Sequence, residues 1–198
     1  ILRCLVGSEM CIRDRYRTLN LNEARKEVTP QYKRDGSAKT TVFISHKHDD
    51  LEEISGLIGL LEKKYDIKAY IDSRDSSMPN TTSGITASKI KERITGCKKF
   101  ILLATNGAIE SKWCNWELGY GDAKKYDSNN IAVFAIKPEN TQDSMYKGHE
   151  YLQIYPYIAY YDGNEKYTNG CNVKQGFYIC KKNGINKTLE PLEYWLNS

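Results

Sequence analysis

No apolar run in the 198-residue sequence approaches the roughly 20 residues that a membrane-spanning helix needs. There is no C-x-x-C pair: the six cysteines, at 4, 11, 97, 114, 171 and 180, are scattered, and His46 and His48 have no cysteine nearby. That spacing argues against zinc, so no metal is expected. Unpatterned cysteines fit a reducing, cytoplasmic setting, with Cys97 and Cys114 as small buried hydrophobes. Charge of one sign is also scarce. The formal net charge is +4, and four arginines against two acids in the first 17 residues supply half of it. With no basic stripe interleaved with aromatics, nucleic acid is not an expected partner, and neither is a membrane. A Gly-rich phosphate loop, a Walker-type motif and internal repeats are all missing.

What is present reads as strands alternating with helices. The β-branched and aromatic run over 40–45 predicts a first strand, and Asp49 or Asp50 an N-cap. Leu51, Ile54, Ile58 and Leu61 at helical spacing predict an amphipathic helix to about residue 64. Strands are expected at 68–72, 100–104, 130–136 and 157–161, with helices at 85–95 and from 113 onward. A short helix is expected within 146–155, a last strand at 176–180, and a terminal helix over 189–196 started by Pro191. The polar loop over 73–84 is longer than most such connections, which points to function. This alternation implies an α/β fold with a central parallel sheet of about five strands flanked by helices. Residues 1–39 read as a lead-in whose first 17 resemble translated adapter sequence and are expected to be disordered. Residues 40–161 read as the domain, and 162–198 as an extension packed on it.

The most informative stretch is Ser111-Lys112-Trp113-Cys114-Asn115-Trp116-Glu117-Leu118-Gly119-Tyr120-Gly121. It follows the buried strand Phe100-Ile101-Leu102-Leu103-Ala104, so its helix starts at the carboxyl edge of the sheet, where open α/β folds bind ligands. Trp113 and Glu117, four residues apart, share a face, so the indole is expected to bury part of the carboxylate and shift its ionisation. Gly119 and Gly121 each cost a helix roughly 1 kcal/mol, which suggests close packing of backbone or ligand.

In combination these motifs resemble the Toll/interleukin-1 receptor (TIR) domain, of the bacterial single-domain kind and with a flavodoxin-like fold. The resemblance rests on Val42-Phe43-Ile44-Ser45-His46, on Tyr70-Ile71-Asp72 with Arg74-Asp75 and Met78-Pro79, and on the Trp113 and Glu117 segment. Lys147-Gly148-His149-Glu150-Tyr151-Leu152-Gln153-Ile154-Tyr155-Pro156 resembles a segment of TIR proteins in Thoeris antiphage defence. Two departures stand out: His46 replaces an aromatic residue, often Tyr, and Pro79-Asn80 replaces a frequent Pro-Gly pair.

The resemblance implies cleavage of the nicotinamide–ribose bond of NAD+, as substrate and with no separate cofactor, to an ADP-ribose-type product that is expected to be cyclic. It implies Glu117 as the catalytic residue, with Ser45, His46, Lys47, Asp72, Arg74, Ser111 and Trp113 around the substrate. It further implies a homo-oligomer formed by TIR–TIR contacts, with the 73–84 loop completing a neighbour's site, and a downstream effector reached through a diffusible nucleotide. The alternative is a non-catalytic TIR adaptor acting by self-association. A phosphoacceptor receiver domain fits poorly, because Asp72 alone does not make the acidic cluster it needs.

Overall fold

The computed structural model describes residues 40–79, 81, 83–136, 149–183 and 186–198. The lead-in over 1–39 and the part of the expected helix at 146–148 lie outside these described residues. Five strands run parallel: β1 (Thr41–Ser45), β2 (Lys68–Tyr70), β3 (Lys99–Ala104), β4 (Ile131–Ala135) and β5 (Tyr157–Tyr161). Two antiparallel strands, β6 (Gly176–Asn183) and β7 (Asn186–Pro191), extend the same sheet, giving the order β2-β1-β3-β4-β5-β6-β7. The helices are α1 (Leu51–Gly59), α2 (Gly84–Gly96), α3 (Asn106–Glu110), α4 (Lys112–Lys125) and α5 (Leu192–Asn197). The parallel part is the α/β sheet expected from the alternation, in the flavodoxin-like form that the resemblance implies, with its switch in strand order between β1 and β3.

Continuous apolar strands such as Val42-Phe43-Ile44 form where both faces of a sheet are covered. Val42, Ile44, Ile101, Leu103 and Phe134 pack on one face with Ile54, Leu57, Ile58, Leu61 and Trp195. Phe43, Phe100, Leu102 and Val133 pack on the other with Ile90, Ile94, Cys114 and Leu118. On that second face Phe43 stacks between Tyr70 and Phe100, with ring centroids 5.5 Å apart on each side, because the three residues are paired in register across β2, β1 and β3.

Several boundaries differ from expectation for identifiable reasons. The second strand stops at Tyr70, and Asp72 opens a 3₁₀ turn (Asp72–Arg74). Helix α1 ends in a π-helical turn (Leu60–Lys64) that keeps Leu60 and Leu61 buried. Asp50 occupies the N-cap position but does not cap; its carboxylate instead accepts from Thr105 Oγ1 at 2.5 Å, tying the loop after β1 to the loop after β3. Leu189 and Glu190 are in β7 rather than a helix, and α5 begins only after Pro191, which stands at its N-cap. Residues 176–197 thus add two strands and a helix to the sheet itself, so it has seven strands rather than five.

Candidate active site

Helix α4 is placed by its contact with the aromatic row. A Cβ built on Gly121 would come 2.9 Å from the Phe100 ring, so only glycine lets the helix lie this close to β3. Gly119, by contrast, faces open space, and its expected packing role is not seen. Glu117 is one turn before Gly121 and therefore points to the same sheet face, at the carboxyl end of β1.

There the Ser45 hydroxyl donates to Glu117 Oε2 at 2.5 Å, joining residues 72 positions apart. Glu117 is 6% exposed and Ser45 1% exposed. Among the described residues Ser45 is the only hydrogen-bond donor to this carboxyl. Burial pushes the Glu117 pKa up to about 8; the Ser45 hydroxyl opposes the shift, and the Asp72 charge adds to it. The acid is therefore mostly protonated at neutral pH, and a cation arriving beside it would ionise it.

Trp113 is 37% exposed, more than the acid it was expected to cover, and its ring stands edge-on to Trp116 at 5.3 Å. It is thus partly open to solvent. Trp116 continues into a stack with Tyr120, at 6.4 Å, with the Lys91 ammonium over both rings.

The other residues expected around a ligand divide into two groups. His46 and Asp72 form one: His46 is buried, its Nε2 is 4.0 Å from Asp72 Oδ1, and of the two it is Asp72 whose charge is felt at Glu117. Lys47 extends over the first turn of α3, where a Cβ on Gly107 would meet its side chain at 2.6 Å, and its ammonium is 3.6 Å from Asp49. Ser111 and Arg74 are turned to structural tasks. The Ser111 hydroxyl caps α4 by accepting from the Cys114 N–H at 3.3 Å. The Arg74 guanidinium faces Glu62 at 3.4 Å.

Sequence reasoning passed over the clamp on the loop after β2. Asp75 is 7% exposed and accepts from Tyr70 Oη at 2.8 Å, from Arg93 Nε at 2.9 Å and from the Ser77 N–H at 2.9 Å. Burial alone would raise the Asp75 pKa, but the bonds from Ser77 and Tyr70 and the Arg93 charge hold it below the usual carboxylate range. The first half of the loop is thereby fastened to α2, while Ile85, past its far end, is 66% exposed. Asp75 and Arg93 are 18 positions apart, so neither announces its partner in the chain.

Among the described residues no three His, Cys, Asp or Glu side chains are grouped to hold a metal ion. Among the same residues no helix is long and apolar enough to cross a membrane. Cys97, Cys114 and Cys180 are buried free thiols, and Cys171 is exposed.

Comparison with known proteins identifies the family. Residues 42–170 match the family model described as TIR domain. Over 142 residues, covering 70% of this chain and 71% of the relative, the chain is 32% identical to a protein of Bacillus cereus (strain MSX-D12) named "Probable 3' cyclic ADP-D-ribose synthase ThsB'".

Proposed function

The chain belongs to the TIR-domain family, and from that premise we propose that it cleaves the nicotinamide–ribose bond of NAD+ and closes the ADP-ribose fragment into a ring, making a diffusible nucleotide signal in Thoeris-type antiphage defence. The observation that carries this reading is the Ser45–Glu117 pair, one buried acid held by one hydroxyl at the carboxyl edge of a parallel sheet.

Nicotinamide leaves a cationic ring as a neutral molecule, so the reaction needs no general acid and no second carboxylate. It does need a fixed negative group beside the sugar carbon where positive charge grows. At rest Glu117 holds a proton, because its pKa is raised to about 8. The pyridinium of bound NAD+ favours the ionised form, so binding expels that proton and creates the carboxylate where the oxocarbenium-like ribose will form. Ser45 fixes the orientation of the carboxyl. The exposed face of Trp113 walls the nicotinamide side and limits water. Lys47 serves the pyrophosphate, and Asp72 with His46 serves hydroxyl groups, while Ser111 and Arg74 act by holding α4 and the loop in place.

Incubation of the purified protein with NAD+, followed by mass analysis, tests this directly. Nicotinamide and a cyclic ADP-ribose are expected from the wild type, and neither from Glu117→Ala. Self-association with no nicotinamide release would instead make the chain an adaptor. For the enzyme, we also infer assembly of copies through the outer half of the 73–84 loop and Ile85. Turnover per molecule should then rise with protein concentration, and Ile85→Asp should abolish that rise.

A further inference from the structure

His46 carries a polar atom that the fold leaves unsatisfied. Its side chain is 2% exposed, and Nε2 has no hydrogen-bond partner among the described residues. The other ring nitrogen, Nδ1, lies 3.4 Å from the Ile44 carbonyl, which can only accept. That contact places the hydrogen on Nδ1 and leaves Nε2 with a free lone pair. Asp72 Oδ1 lies 4.0 Å from Nε2 and is itself an acceptor, already taking the Ser73 N–H at 2.8 Å. Nε2 is thus the acceptor left open beside a carboxylate, the arrangement that a ligand hydroxyl would complete. Burial keeps the imidazole neutral by lowering its pKa; Asp72 and Asp50 oppose this, and His48 reinforces it. The Asp72 charge also bears on Glu117, which links His46 to the acid through Asp72.

We propose that His46 Nε2 is the proton acceptor for the ribose hydroxyl that closes the ring, and so decides whether the product is cyclic or linear. The inference rests on the NAD+ reading given above. In the step, the C–N bond to nicotinamide breaks and its electron pair leaves with the neutral base. A hydroxyl oxygen of the adenosine ribose forms a bond to the same sugar carbon, and its proton passes to Nε2 and then to solvent. The balance is NAD+ to cyclic ADP-ribose, nicotinamide and one proton. An attacking water can shed its proton to bulk solvent, whereas a hydroxyl enclosed in a dry site needs a base within reach. Asp72 then stabilises the imidazolium until it discharges.

The test uses the full chain with NAD+, and quantifies nicotinamide, cyclic product and linear ADP-ribose together. In His46→Gln, nicotinamide release should fall, and the ratio of cyclic to linear product should fall at least about tenfold beyond that. The wild-type ratio should also drop as pH is lowered past the ordinary histidine range, because burial holds the His46 pKa below it, a readout that does not depend on the variant folding. An unchanged ratio in His46→Gln, or a wild-type ratio flat with pH, would overturn the assignment. So would a parallel loss of both products at constant ratio, which would make His46 a binding or packing residue only. A wild type that releases no nicotinamide, with Glu117→Ala indistinguishable from it, defeats the NAD+ reading itself and the His46 role with it. That outcome is separate from the case where nicotinamide is released but the ratio ignores His46.

Discussion

Glu117 and Lys99 are buried ionisable side chains on opposite ends of one sheet, and both are pushed by burial toward a pKa of about 8, the acid upward and the amine downward. Lys99, at the start of β3, is surrounded by partners. Its ammonium donates to Asn130 Oδ1 at 2.5 Å and to Ser198 Oγ at 2.8 Å, and lies 4.7 Å from the Trp195 ring centroid. Trp195 in turn donates to the Asn129 carbonyl at 2.7 Å, so this cluster fastens α5 beneath the sheet. Among the described residues Glu117 has one donor, Ser45, and an unfavourable neighbour in Asp72. Full satisfaction marks a structural charge. A charge kept short of partners is one that a ligand is meant to complete.

The sharpest way to press this contrast is Glu117→Gln. NAD+ cleavage should fall at least a hundredfold, about 3 kcal/mol of transition-state stabilisation, by nicotinamide release. The same substitution should stabilise the fold. With a folded pKa of about 8 against an ordinary 4.5, the folded protein holds a proton that the unfolded chain has lost between those values. Wild-type stability therefore falls as pH rises through that window, and Glu117→Gln should gain an advantage that is absent below it and is about 3 kcal/mol at pH 7, by denaturant unfolding.

Lys99→Ala should do the reverse. It leaves Asn130 and Ser198 without their donor and opens a cavity under Trp195, costing on the order of 2–4 kcal/mol with turnover of the folded fraction unchanged. Because the Lys99 pKa is depressed from 10.5 to about 8, the wild type should gain stability as pH rises between those values, and Lys99→Met should flatten that slope.

Gly121→Ala should sit between the two. The added methyl meets the Phe100 ring and must displace α4, so a loss of about 1–3 kcal/mol in stability should accompany at least a tenfold loss in kcat. The smallest expected effect is that of Ser45→Ala. Removing the donor takes away what opposes the Glu117 shift, so the rising limb of kcat/KM, near pH 8 in the wild type, should move to higher pH.

The sequence made the alternating skeleton readable because Phe100-Ile101-Leu102-Leu103 and Ile131-Ala132-Val133-Phe134 are apolar on both faces, as interior parallel strands must be. The edge strand β7 was hidden for the opposite reason. Asn186-Lys187-Thr188 is polar and exposed, and its pattern carries no strand period. The pairing of β7 with β6, down to Asn183 opposite Asn186, is what makes it a strand. At the site, Trp113 and Glu117 were legible as a helical pair, but the acid's actual partner is on another strand. Lys99 reads as a surface residue at a strand entry, and only the returning C-terminal helix encloses it.

The two outermost strands carry a consequence for how copies of the chain can meet. On one rim β2 is three residues long and starts with exposed Lys68; on the other, β7 carries Lys187 and ends in Pro191, which has no N–H to offer. Among the described residues neither rim provides a long row of unpaired backbone groups for a neighbour's strand to zip onto. The assembly proposed above is therefore expected to use side chains of loops and helices rather than a continuous cross-molecule ladder.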